Sequence, residues 1–290
     1  MKKAYFEITN ICNLDCSFCP KTKREKRFVS ISEFKLVLGK LRGKIEFLYL
    51  HLMGEPTLHP HLEDMLRIAS DMGFKVIITT NGTTLSEKGN ILLSSDAVYK
   101  VSISVHSFEA NDKNAEEKLY EYLDSCFVFA QKAALAGKIC VFRLWNLDGE
   151  NTVGENSRNP VILDQMRQVF ADPWTETRSG MRLENKIFLE YGERFEWPDP
   201  EKADNIDSEE ECFCHGLRDQ IGILCDGSVV PCCLDSEGTL RLGNLYENEL
   251  EDILSSPAAT EFYNCFSKRK SPSSLCSNCG YAKRFVRSKK

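Results

Sequence analysis

From residue 4 to about 191 the chain alternates strand-like and helix-like segments, which predicts parallel β/α units. The strand candidates are AYFEIT, EFLYLHLM, KVIITTN, KVSISVH, KICVFRLW and KIFLEY. Helical stretches fall between them at 31–42, 60–72, 84–94, 113–134 and 159–170. The second of these carries Leu62, Met65, Leu66, Ile68 and Ala69 at helical spacing. Six units fall short of a closed eight-stranded barrel, so the expected architecture is α/β, a partial (β/α)6 barrel.

A parallel strand buried on both sides should be apolar on both sides. These strands are two-faced. Phe6 and Ile8 oppose Tyr5, Glu7 and Thr9; Leu48, Leu50 and Leu52 oppose Tyr49, His51 and Met53; Val101, Ile103 and Val105 oppose Ser102, Ser104 and His106. The fifth strand presents Val141, Arg143 and Trp145 together. The aliphatic faces must meet the helices, which leaves the polar faces for the barrel interior. Glu7, His51 and His106 are costly there without partners. They belong either to a self-satisfied network or to a ligand cavity at the C-terminal mouth, where such barrels place their sites. As candidate catalytic groups, all three follow from the second reading.

Thirteen of the 290 residues are cysteine. The start, MKKAYFEITN, has no apolar signal-like region, and no apolar run reaches membrane-spanning length, so a cytoplasmic, reducing setting is expected. Metal or cluster ligation then explains the cysteines better than disulfides do. The net charge of −6 argues against broad binding to nucleic acid. In EITNICNLDCSFCPK, the loop after the first strand, Cys12, Cys16 and Cys19 are spaced C-x3-C-x2-C. Three thiolates on a four-iron cube leave one iron open to another ligand.

This spacing resembles the signature of the radical S-adenosylmethionine (SAM) superfamily. The resemblance implies that the open iron of a [4Fe-4S] cluster chelates the SAM amino and carboxylate groups. An electron, from a donor such as flavodoxin or ferredoxin, then cleaves SAM to a 5′-deoxyadenosyl radical. Phe18 matches the aromatic position near the adenine. MGEP, residues 53–56, is similar to the family's GGEP turn, with Met53 in place of the first glycine; Gly54 and Glu55 are its cofactor-facing residues, Glu55 accepting from the SAM ammonium. Thr79 and Asn81 in TTNGT, and Ser104 and Arg143 on later strands, match further cofactor-binding positions. Alone, Gly-Glu-Pro or Asn-Gly is an ordinary turn. The sequence departs from many relatives at His106, where they carry aspartate, which makes it a candidate proton carrier or hydrogen-bond donor to substrate.

The barrel is expected over 1–195, a proline-bearing acidic linker over 196–211, and a small cysteine-rich domain over 212–290. ILCDGSVVPCC reads as a β-hairpin turning at Asp226-Gly227, and CSNC is a two-residue-spaced chelate that a zinc ribbon can also use. C-x12-G-x4-C, from Cys214 through Gly227 to Cys232, followed by that late pair, resembles the shorter, twitch form of the SPASM extension. It implies one auxiliary [4Fe-4S] cluster on Cys214, Cys232, Cys276 and Cys279, with Cys212, Cys225 and Cys233 as competitors. Cys126, Cys140 and Cys265 read as small core residues.

The overall length, the CNLDCSFCPK loop and the CSNCGYAKRF ending resemble the queuine lyase family, which cleaves queuosine 5′-phosphate to release queuine. A similar cysteine layout occurs in a radical dehydrogenase of aminocyclitols, and peptide-modifying SPASM enzymes are a third possibility. The expected partner is a small molecule such as a nucleoside phosphate, with no membrane. The basic run 21–27 reads first as a solvated charge run; second, Lys21, Lys23 or Arg24 meets a substrate phosphate. The tail KRFVRSKK is a similarly weak pointer to nucleic acid. Segment 146–185 is long for a βα connection and reads as a lid.

Overall fold

The computed structural model describes residues 1–109, 116–145, 159–192, 195–199 and 211–285. In chain order the strands are β1 (Lys3–Phe6), β2 (Phe47–Tyr49), β3 (Lys75–Thr80), β4 (Val98–Ser104), β5 (Ile139–Trp145), β6 (Thr175–Thr177), β7 (Gly180–Glu184), β8 (Ile187–Gly192), β9 (Gln220–Ile223), β10 (Ser228–Val230) and β11 (Gly243–Asn244). The helices are α1 (Ile31–Leu41), α2 (Leu62–Asp71), α3 (Leu85–Ser94), α4 (His106–Glu109), α5 (Glu116–Leu135), α6 (Asn159–Val169), α7 (Leu250–Ser255), α8 (Pro257–Ser267), α9 (Ser274–Ser277) and α10 (Gly280–Lys283). Residues 200–210 of the expected linker, 146–158 of the expected lid and 286–290 of the basic tail lie outside the described residues.

The chain folds as two compact units that do not follow chain order. One comprises Met1–Asn10, Pro20–Met53 and Phe195–Lys290. In it β1 pairs in parallel with β2 on one side and β9 on the other, and β9, β10 and β11 continue antiparallel. The hairpin turns at Asp226-Gly227 as its sequence predicts. Asp226 accepts from Ser228 N at 3.0 Å, and Gly227 sits at φ +83, where a Cβ would lie 2.4 Å from Asn244 Oδ1. Helix α1 starts on a capping box, Ser30 with Glu33, and buries Phe34, Val37, Leu38 and Leu41 against the aliphatic faces of β1 and β2.

The other unit comprises Ile11–Cys19 and Gly54–Arg194. Here β3, β4, β5 and β8 run parallel in that order, and α2 buries the five apolar residues its periodicity marks. Phe127, Phe142 and Phe170 cluster under α5, and Cys126 and Cys140 are fully buried there as core residues. Within the segment expected to form a lid, residues 159–185 hold α6 and the strands β6 and β7, β7 adding antiparallel to β8 and β6 to β7. Gly180 marks the place, because a Cβ there would lie 2.0 Å from Leu189 O. No described helix is long and apolar enough to cross a membrane.

Candidate active site

The three-cysteine loop and all seven expected cofactor-binding residues belong to the same compact unit. Cys12 is exposed, Cys16 buried and Cys19 half-buried. The loop turns on Cys19 N donating to Cys16 O at 3.1 Å, and the Cys16 thiol reaches Ser107 O at 3.8 Å. Two N–H groups point at Cys12 Sγ, from Leu14 N at 3.4 Å and Asn81 Nδ2 at 3.9 Å. The surrounding protein, with the Glu55 carboxylate and Cys16 nearby, raises the Cys12 thiol above its ordinary value despite these donors. Iron ligation reverses that balance, since a coordinating thiol is deprotonated by the metal charge. The soft, three-sulfur donor set with N–H groups at its edge fits an iron-sulfur cluster.

Asn81 and Glu55 hold this loop to the turns beneath it. Glu55 is buried. Its Oε1 accepts from Thr57 N (3.0 Å) and Thr57 Oγ1 (2.6 Å), and its Oε2 accepts from Asn81 N (2.7 Å). Burial raises the Glu55 carboxyl, while these donors favour its charge. The side chain expected to face the SAM ammonium also caps the 3-10 turn Pro56–Leu58 and pins the TTNGT turn. Asn81 Nδ2 reaches Asn13 Oδ1 (2.9 Å), Asn81 Oδ1 accepts from Thr83 N and Oγ1, and Asn13 Nδ2 donates to Thr83 Oγ1. Tyr122 OH closes the set on Asn81 O at 2.7 Å. Thr57, Asn13 and Tyr122 were not singled out by sequence; Asn13 lies inside the cysteine motif, but nothing local marks Tyr122. Gly54 has φ +74, a left-handed backbone that explains the glycine.

Ser104 and Arg143 are register partners on β4 and β5, and Thr79 partners Ser102 on the neighbouring strand. His106 is buried, its ring 5.2 Å from that of Phe18 and its Nδ1 2.9 Å from Arg143 O. A carbonyl can only accept, so Nδ1 carries the proton and Nε2 is the accepting nitrogen. Burial, aided by the Arg143 charge, pushes His106 down to about 3. This favours the neutral imidazole at physiological pH.

Glu7 and His51 lie in the other unit. Glu7 is fully buried and accepts two bonds from Arg24 Nη2 (2.8 Å each), one from Met53 N (3.1 Å) and one from Cys225 N (3.2 Å). Burial raises the Glu7 carboxyl and opposes the Arg24 charge, but pairing with Glu7 still carries the guanidinium above its ordinary value. A carboxylate taking four hydrogen bonds from three nitrogens is committed to them, so Glu7 belongs to the self-satisfied network. Arg24 is withdrawn with it from the phosphate-binding candidates. His51 packs edge-on against Tyr5 (5.4 Å) and Tyr49 (5.9 Å), which stack on each other at 4.5 Å.

The late cysteines gather in the same unit as Glu7. Burial raises the thiols of Cys214, Cys232, Cys276 and Cys279, and mutual repulsion adds to it: Cys214 acts on the other three, and Cys279 on Cys276. Cys233 and Cys212 join this group, whereas Cys225 faces Arg24 at 3.5 Å and Glu7. Ser273 caps α9 by accepting from Cys276 N at 3.2 Å. Among the described residues, no three His, Cys, Asp or Glu side chains converge on one point as a single metal ion requires. A four-iron cube takes each thiolate on a different iron, and an all-sulfur donor set is the type it requires.

Residues 6–151 match the Radical SAM superfamily, and residues 212–280 match SPASM, an iron-sulfur cluster-binding domain. Over 92 residues the chain is 36% identical to the tungsten-containing aldehyde ferredoxin oxidoreductase cofactor-modifying protein of Pyrococcus furiosus, covering 30% of this chain and 26% of that one. Over 87 residues it is 32% identical to an S-adenosylmethionine-dependent nucleotide dehydratase of a Thermoplasmatales archaeon, covering 30% and 31%. The match thus spans under a third of either relative. In fold, BtrN solved in complex with AdoMet and 2-DOIA is similar over 96% of this chain and 92% of that one, with a TM-score of 0.52 at 18% identity.

Proposed function

Because the chain belongs to the radical SAM superfamily and carries a SPASM iron-sulfur cluster-binding domain, we propose that it is a radical lyase that releases queuine from queuosine 5′-phosphate. The observation that carries the chemistry is the clamp on the three-cysteine loop, Asn13 and Asn81 above and Glu55 below, with the Ser104–Arg143 pair in the same unit. The substrate is supported by the resemblance of the loop and ending to queuine lyases, and by the nucleotide substrate named for one relative.

Cys12, Cys16 and Cys19 would hold the SAM-binding cluster, and Cys214, Cys232, Cys276 and Cys279 the auxiliary one. With SAM bound and one electron delivered by an external donor such as flavodoxin or ferredoxin, the first site would supply a 5′-deoxyadenosyl radical able to take a hydrogen atom from a ribose carbon. Arg143 and Ser104 offer a cation and a hydroxyl to the SAM carboxylate and ribose. His106, neutral and protonated on Nδ1, offers Nε2 as an acceptor to a substrate hydroxyl or base N–H. Of the basic run, Lys21 and Lys23 are the cations this reading assigns to the 5′-phosphate.

Anaerobic incubation with SAM, reductant and queuosine 5′-phosphate, followed by mass spectrometry, tests the reading. Free queuine with 5′-deoxyadenosine supports it. The fold likeness to BtrN favours a second reading, a two-electron dehydrogenase of an amino sugar or aminocyclitol. Oxidation of such a substrate with no base released from the nucleotide would replace the lyase by it.

A further inference from the structure

The run KTKREKR is neither wholly solvated nor wholly available to a ligand, because Arg24 turns inward. Beyond its two bonds to Glu7, Arg24 donates through Nε to Ser236 O at 2.8 Å and through Nη1 to Cys225 Sγ at 3.5 Å. Glu7 in turn accepts from Cys225 N. The pair therefore grips both ends of the segment 225–236, whose interior carries Cys232 and Cys233. Lys23 N adds a contact beside the far end, to the Glu237 carboxylate at 3.1 and 3.3 Å. Neither Glu7 nor Arg24 is itself a thiol, and Cys225 faces the pair.

A charged pair in a dry interior stabilises less than a well-packed apolar one of the same size, and its best-attested return is a unique arrangement of the chain around it. What this pair arranges is the segment that delivers Cys232 to the other thiols. We infer that Glu7 and Arg24 are positioning residues for the auxiliary iron-sulfur site. They set where the 225–236 segment holds Cys232, through the Cys225 amide at one end and the Ser236 carbonyl at the other. The inference rests on the SPASM assignment and is independent of the queuosine reading.

The test uses reconstituted chains carrying Cys12→Ala, Cys16→Ala and Cys19→Ala, which leave auxiliary iron alone, about four irons per chain. Glu7→Gln and Arg24→Lys are each added, and iron content, the EPR spectrum of the reduced cluster and apoprotein Tm are measured. Both variants should fall below half the parent iron content or show displaced g-values. Iron content and EPR spectrum equal to the parent in both single variants would overturn the inference, whatever the change in Tm. If Glu7→Gln does not fold, Arg24→Lys decides, since it keeps the charge opposite Glu7 and loses only the forked contacts. A parent without iron would overturn the auxiliary-site reading and this inference with it.

Discussion

Glu55→Gln separates two roles for one carboxylate. Its oxygens each meet a backbone N–H, Thr57 N at 3.0 Å on one and Asn81 N at 2.7 Å on the other. Backbone N–H groups only donate, so both oxygens must accept. Glutamine has one accepting oxygen, and its NH2 must face one of those N–H groups. The loss is a charge-assisted hydrogen bond, about 1.5–3 kcal/mol, partly offset because a neutral amide is less costly to bury than a carboxylate. A net destabilisation of about 2 kcal/mol lowers Tm by about 3 °C for a protein of this size. The assay is apoprotein thermal unfolding beside SAM affinity of the reconstituted enzyme. Structural anchoring predicts a lower Tm in the apoprotein, before any cofactor is present, with SAM binding weakened through the displaced Asn81 turn. An unchanged Tm with SAM affinity reduced tenfold or more would refute it and return the carboxylate to the SAM ammonium.

Further outcomes are open to measurement. Reconstituted protein should hold about eight irons per chain, and alanine at Cys12, Cys16 and Cys19 should remove half of them together with all SAM cleavage; four irons plus zinc would remove the auxiliary cluster from the reading. His106 should show no ring titration by NMR between pH 5 and 8, because burial holds it near 3. Its folded value lies below the unfolded one, so the unfolded chain binds the extra proton; the stability it contributes is complete above about 6.5 and is lost as pH falls toward 3, a decline His106→Asn should lack. Queuosine 5′-phosphate should be cleaved with a much higher kcat/KM than the free nucleoside, since a paired phosphate helps position the sugar; equal turnover would discard Lys21 and Lys23 as phosphate partners.

What the sequence determined by itself is local. Alternating residue faces define strands, helical spacing marks α2, Ser30 with Glu33 starts α1, and Asp226-Gly227 turns the hairpin, because each depends on neighbours a few positions away. The spacing of Cys12, Cys16 and Cys19 is local in the same sense, so the chemistry of the loop was legible before any fold. The strands β6 and β7 were not, being short and half-exposed, with β7 paired to β8 and β6 to β7. Tertiary structure alone decided the partners of the charges. Glu7 meets Cys225 N across 218 positions because β9 lies parallel beside β1, and that pairing sets Cys225 beside the Glu7–Arg24 pair. Glu7 and Glu55 look alike in sequence as polar residues at strand ends, and both are carboxylates whose burial is tolerated only by donors brought from elsewhere in the chain. No spacing rule encodes which donors arrive. The fold does, by setting which backbone N–H groups and which arginine stand within reach.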